Sequence, residues 1–177
     1  MLKRILLFVL TRVLPEHRRP VWYRRLLGVK TGERNRYAGA INFGSEPYLV
    51  ELGNDITLAQ GVTFITHDGG ARLFRKEYPG LNVFGKIKIG NNVFVGSSVT
   101  ILPGVSIGDN VVIGACSLVS RSIPSNVVVV GVPARIIKSI DVYKEGLLKN
   151  GVLLDPEINR SQQIVKHCEH LAPKMPA

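Results

Sequence analysis

Ile89-Gly-Asn-Asn-Val-Phe, Val95-Gly-Ser-Ser-Val-Thr, Ile101-Leu-Pro-Gly-Val-Ser, Ile107-Gly-Asp-Asn-Val-Val, Ile113-Gly-Ala-Cys-Ser-Leu and Val119-Ser-Arg-Ser-Ile-Pro follow one another from Ile89 to Pro124 without a slip. The first place of each hexad is Ile or Val, and the fifth holds Val93, Val99, Val105, Val111, Ser117 and Ile123. Hexapeptide periodicity of this kind marks a β-helix. Six residues make one short strand and one corner, and three such units close a triangular coil. The first-place aliphatic then points into the prism and stacks on its copies above and below. Burying one such side chain is worth about 1.5–3 kcal/mol, so a single hexad is unstable while a stack is stable. Ile-Gly-Asn-Asn-Val at 89–93 returns as Ile-Gly-Asp-Asn-Val at 107–111, eighteen residues later, which is one coil. Gly, Asn and Asp accept the left-handed backbone that tight corners need, so like corners should stack. Chance alternation in a flat sheet would not hold one frame through six hexads.

Upstream, Leu52-Gly-Asn-Asp-Ile-Thr, Leu58-Ala-Gln-Gly-Val-Thr and Phe64-Ile-Thr-His-Asp-Gly form a further regular coil. Between Lys30 and Val50 the repeat is degenerate, and a first coil is expected there with Tyr37, Ile41 and Phe43 at apolar positions. After Gly69-Gly70 the pattern fails, because residues 71–82 are bulky or charged with no six-fold rule. The frame is expected to resume at Val83 shifted by one, since Leu52 to Ile89 is 37 residues rather than 36. A solenoid tolerates insertions as excursions from one edge, often on its binding side. An external loop over about 69–82 should therefore leave the prism just after His67, with Gly69 and Gly70 at its exit and Pro79-Gly80 at its return. The expected organisation is a helical cap over 1–30, a β-solenoid over 31–139 and a helical tail over 140–177.

The net charge of +10 is concentrated at the start of the chain. Residues 1–36 carry Lys3, Arg4, Arg12, Arg18, Arg19, Arg24, Arg25, Lys30, Arg34 and Arg36 against Glu16 and Glu33. Such a segment seeks phosphates of nucleic acid or of a membrane face. No helix-turn-helix or zinc-finger spacing accompanies it, so nucleic acid is excluded as a partner. The apolar run Ile5 to Leu10 is six residues long, well short of the roughly 20 that span a bilayer. It reads as a short helix ended by Pro15. Residues 1–14 either cap the prism or make peripheral contact with the inner face of the cell membrane, through apolar faces flanked by Arg. Residues 16–30, with Trp22 and Leu26, and Tyr23 and Leu27, paired at i,i+4, are assigned to the cap. Two cysteines, Cys116 and Cys168, make no disulfide framework and fit a reducing cytoplasm. Residues 141–149 and 156–171 read as two helices. His167 and His170 beside Cys168 lack a second ligand pair, so no metal is expected.

His67 is the one histidine inside the regular coils. Taken alone, a polar corner residue is its simplest description. Its place is less ordinary, because the side chain projects where the coil ends and the loop begins. It would line a cleft there, where a neutral imidazole suits a general base.

Thr66-His67-Asp68, the loop, the hexads from Ile89, Pro103-Gly-Val, Pro124 and Gly131-Val-Pro-Ala-Arg-Ile-Ile-Lys together resemble the hexapeptide-repeat acetyltransferases. Within that family the chain is most similar to the maltose and galactoside O-acetyltransferase branch and to enzymes of capsule and surface-polysaccharide synthesis. The resemblance implies a left-handed parallel β-helix, assembled as a homotrimer with active sites between subunits and acetyl-CoA as co-substrate. The family's general base falls on His67, which would activate a hydroxyl for direct attack on the thioester. Its second ring nitrogen needs an orienting partner, for which Glu46 and the loop backbone are candidates. On the acceptor side the resemblance points to Asn42, Glu46 and Phe94. On the coenzyme side it points to Ser97, Ala115, Ser120, Arg121, Arg135 and Lys138. The xenobiotic branch places a Trp soon after its histidine, whereas the one Trp here is Trp22. Serine acetyltransferases carry a long helical N-terminal domain for which 50 residues leave no room.

The expected activity is cytoplasmic O-acetylation of a sugar or lipid-linked saccharide. N-acetylation of a nucleotide-linked amino sugar and a non-enzymatic scaffold at the membrane are the competing possibilities.

Overall fold

The computed structural model describes residues 5, 6, 9 and 13–169. Most of the expected helix over residues 1–14, and with it the expected membrane contact, lies outside them. No helix among the described residues is long and apolar enough to cross a membrane.

The chain winds through three parallel sheets in turn. The first face stacks Lys30–Thr31, Val50–Leu52, Ile87–Ile89 and Ser106–Ile107. On the second lie Arg36–Tyr37, Thr57–Leu58, Val93–Val95, Val111–Ile113 and Val127–Val130. The third carries Thr63–Phe64, Thr100–Ile101 and Leu118–Val119, with Asn42 bridged to Thr63 above them. First-place residues stack on one another, as in Leu58↔Val95↔Ile113↔Val129 and Phe64↔Ile101↔Val119. Fifth-place residues are buried as well as first-place ones, so each hexad sends two side chains inward. The polar exception, Ser117, is satisfied: its hydroxyl donates to the Gly114 carbonyl (2.7 Å) and accepts from the Gly131 N–H (3.1 Å). The degenerate segment does form the first coil, with Tyr37, Ile41 and Phe43 buried.

The corner between the first and second faces shows why the repeat needs Asn and Asp. Asp55, Asn92, Asn110 and Asn126 sit at φ 57°, 54°, 55° and 64°, a region these side chains tolerate better than others. Their neighbours tie the coils together. The Asn54 N–H donates to Asn91 Oδ1 (2.9 Å), Asn92 Nδ2 to Asn110 Oδ1 (2.8 Å), and Asn110 Nδ2 to Asn126 Oδ1 (2.9 Å).

Helix Arg19–Leu27 closes the top of the prism. Gly28 at φ 79° ends it in a left-handed cap. Tyr23 is buried and its hydroxyl accepts the Ile41 N–H (2.9 Å). Its ring packs edge-on against Tyr37 and Phe43, and Phe43 stacks on Phe64 at 4.9 Å. Burial pushes the phenols of Tyr23 and Tyr37 above their ordinary range. Much of the basic charge is paired locally: Arg34 with Asp55, Lys30 with Glu51 and Arg36 with Glu16.

The loop departs from expectation in one respect. Leu52 pairs directly with Ile89, so the intervening chain is one coil carrying a long insertion, not two coils with a slipped frame. Val83 does not resume the repeat. It pairs antiparallel with Asp68, as Phe84 does with His67, forming the stem of the excursion. The coil resumes at Ile87, buried against Val50. Gly69–Phe74 forms a 3-10 helix at the loop's exit.

Chain contacts divide the protein into two units, residues 1–140 and 141–177. An antiparallel strand, Arg135–Ser139, pairs with Val127–Val130 in the first unit. The tail holds helices Ile140–Asn150 and Arg160–Glu169. Within it, His167 Nε2 lies 3.0 Å from the Asn150 carbonyl.

Asn35 tests the polar seal of the upper coil. It is 3% exposed, donates to Thr31 Oγ1 (2.7 Å) and the Gly53 carbonyl (2.9 Å), and accepts the Ile56 N–H (2.7 Å). Asn35→Leu strands a buried donor and a buried acceptor, at about 1–3 kcal/mol each. Urea unfolding should show a midpoint lowered by the corresponding amount, and an unchanged midpoint would contradict this role.

Candidate active site

The third face delivers Phe64 inward, then Ile65 and the fully buried Thr66 round the corner, and then His67 at the base of the loop stem. One coil above, the chain turns through Gly44 and Glu46 into the 3-10 turn Pro47–Leu49. Gly44 sits where any Cβ would lie 2.9 Å from the Phe64 carbonyl and 3.2 Å from Thr66 Oγ1. That close stacking brings Glu46 over Thr66 and His67. Thr66 Oγ1 donates to Glu46 Oε2 (2.7 Å), and His67 Nδ1 lies 3.0 Å from the same oxygen.

The Thr66 hydroxyl bond chiefly holds the Glu46 carboxyl below its ordinary range; partial burial opposes this and the His67 bond assists it. Glu46 is therefore ionised at neutral pH and can only accept hydrogen bonds. It follows that Nδ1 carries the proton and that, in the neutral ring, Nε2 presents its lone pair. Among the described residues nothing pairs with Nε2, and the imidazole side chain is 41% exposed. Glu46, expected both among the acceptor-side residues and as a candidate partner of the second ring nitrogen, lies against His67 Nδ1. Thr66 was not singled out from sequence. It holds the third place of its hexad, which is exposed at Asn91 and Ser97 in a later coil, so periodicity does not report its burial and its position directly before the histidine is its one signal.

Below His67 lies a groove of about 520 Å³ lined by Ile65, His67, Asp68, Gly69, Val83, Leu102, Pro103 and Ser120. A second groove of about 330 Å³ is lined by residues that include Ser120, Arg121, Pro124, Ala134 and Arg135. Ser120 lines both, so a track leads from the imidazole along this edge to two arginines. Both arginines are exposed.

The remaining expected site residues stand elsewhere in the chain. Phe94 projects from the second face, 46% exposed, in the row Thr57–Phe94–Val112–Val128–Lys138. Lys138 thus lies in the row of Phe94, while Arg135, on the same strand, pairs with Val130. Ser97 and Ala115 stack at the corner between the second and third faces, where the Cys116 N–H donates to the Ser97 carbonyl (2.8 Å). Gly96 packs there so tightly that a Cβ would lie 2.5 Å from the Ala115 nitrogen. Asn42 stands at the top of the third face with its Oδ1 accepting the Gly44 N–H (3.0 Å). One chain therefore divides the expected residues: His67, Ser120 and Arg121 lie along one edge and Phe94, Ser97 and Ala115 around another, while Arg135 lines the second groove and pairs with Val130, which packs under Gly114.

Comparison with known proteins gives the family. Residues 86–121 match the family described as bacterial transferase hexapeptide (six repeats). The chain is 46% identical over 128 residues to Protein CapG of Staphylococcus aureus, covering 71% of this chain and 74% of that one. It is 42% identical over 123 residues to galactoside O-acetyltransferase of Escherichia coli (strain K12), covering 69% of this chain and 59% of that one. The solved structure of galactoside acetyltransferase in complex with coenzyme A superposes with a TM-score of 0.61 at 32% identity, covering 81% of each chain. The chain belongs to the hexapeptide-repeat transferase family and is an acetyltransferase.

Proposed function

We propose that the protein is an acetyl-CoA-dependent O-acetyltransferase that acts on a hydroxyl of a sugar or surface-polysaccharide intermediate, with His67 as general base. The observation that carries this reading is the Glu46–His67 pair at the head of a groove that ends in Arg121 and Arg135. Acetyl-CoA supplies the thioester carbon that the acceptor oxygen attacks. His67 Nε2 takes the hydroxyl proton as the new C–O bond forms and returns it to the sulfur as the C–S bond breaks. Glu46 holds the ring in the productive tautomer and stabilises the imidazolium that forms in between. Arg121 and Arg135 suit the phosphates at the far end of the coenzyme.

The group around Phe94 and Ser97 completes this reading in an assembly. A homotrimer of left-handed prisms would set the His67 edge of one subunit against the Phe94 and Ser97 face of the next. Ser97 would then offer a backbone N–H near the thioester oxygen. Relatives support the acceptor class, since one is named a galactoside O-acetyltransferase and another a putative lipopolysaccharide biosynthesis O-acetyl transferase. Hydroxyl attack is favoured over amine attack by the Glu46–His67 pair, because a hydroxyl must lose its proton to a base as it reacts.

A screen of sugars, nucleotide-linked amino sugars and lipid-linked saccharides with labelled acetyl-CoA tests the reading. Label should enter an ester; label found only in amides would overturn it. His67→Ala should lower kcat by roughly 10²–10⁴-fold and leave acetyl-CoA affinity unchanged by calorimetry. A variant of normal rate would end the assignment. Glu46→Leu should lower kcat by a smaller factor, roughly tenfold, with an unchanged KM for acetyl-CoA. If kcat is untouched, Glu46 has no orienting role.

A further inference from the structure

Phe84 belongs to no core, groove or helix cap described above. It is 55% exposed, and its backbone pairs directly with that of His67 in the antiparallel stem of the loop. Residues opposite each other in such a ladder project to the same face. Phe84 and His67 therefore share one face of the stem, while Asp68 and Val83 share the other. The groove that leads to the arginines is lined by Asp68 and Val83. Phe84 is not among its walls, so the imidazole stands between that groove on one side and the phenyl ring on the other. The ring centroids lie 6.3 Å apart at an interplanar angle of 65°, so the two rings do not stack. The loop has other exposed apolar groups, among them Leu73 and Tyr78. Among the described residues, Phe84 is the loop side chain in ring contact with His67.

We infer that Phe84 is the platform on which the acceptor's ring lies, and that it selects cyclic sugars over open-chain alcohols. This rests on the acetyl-transfer reading above. A pyranose has an apolar C–H face and hydroxyls around its rim. The negative face of an aromatic ring attracts those C–H groups, and stacked partners sit about 4.5–7 Å apart between centroids. Phe84 keeps most of its surface exposed beside its edge contact with the imidazole, so a sugar lying on the open part of that ring turns a rim hydroxyl toward His67. Phe84 has no polar atom, so it recognises the ring face without recognising any particular hydroxyl. The choice of hydroxyl is left to other groups.

The test compares the full-length protein with Phe84→Ala and Phe84→Trp, using acetyl-CoA with methyl β-galactopyranoside, methyl α-glucopyranoside and the open-chain polyol sorbitol. For the best pyranoside, Phe84→Ala should raise KM about tenfold, consistent with an aromatic contact of about 0.5–1.5 kcal/mol. Its kcat, its KM for acetyl-CoA and its KM for sorbitol should stay within about twofold, and Phe84→Trp should restore the pyranoside KM. An unchanged pyranoside KM in Phe84→Ala overturns the inference. So does an equal loss for pyranoside and sorbitol, or a loss that falls on kcat and acetyl-CoA alike, since each marks a structural role. A wild-type protein that forms no ester with any saccharide of the full acceptor screen defeats the sugar O-acetylation reading, and this inference with it.

Discussion

The register between successive coils is the constraint on which everything else depends. Ile89 over Ile107, Val95 over Ile113 and Ile101 over Val119 keep one aliphatic above another along each face of the prism. Because like stacks on like, each corner also stacks on its copy. The Asn and Asp ladder along one edge is the polar consequence of the same registry. Slipping a strand by one residue would turn every inward side chain outward, so the apolar and polar columns fix the register together.

The chemistry inherits its precision from that registry. Glu46 and His67 are 21 residues apart in sequence, yet they meet because each lies at the same corner of adjacent coils. Gly44 lets those coils approach closely, and buried Thr66 pins the carboxylate from below. A rigid stack of this kind holds an imidazole and a carboxylate from different coils against each other without a helix. The loop adds what the prism cannot. Its two-stranded stem begins at His67 itself, so any group on the stem is placed relative to the imidazole.

Much of this was legible in the residues. The six hexads, the coil at Leu52–Gly69 and the exit of the loop after His67 follow from periodicity alone. The cap helix followed from Trp22, Tyr23, Leu26 and Leu27, of which Tyr23 proved fully buried. What periodicity could not give was the return of the loop. Val83 is apolar like a first-place residue, but it serves the stem, because strand pairing within the insertion competes with the hexad frame. Glu46 was legible only as a candidate, since its partner lies in another coil and no local spacing reports a contact between coils. The expected site residues are divided in place. Phe94, Ser97 and Ala115 lie on a different part of the surface from His67 and Arg121, and no argument confined to one chain reunites them.

That division makes the proposed subunit seam the place to test. A crystal structure with bound coenzyme A is the most direct measurement. The account predicts the coenzyme sulfur about 3–3.5 Å from His67 Nε2, the phosphates against Arg121 and Arg135 of the same subunit, and Ser97 of a second copy across the groove. Coenzyme A bound wholly within one chain, or with its sulfur remote from His67, would contradict it.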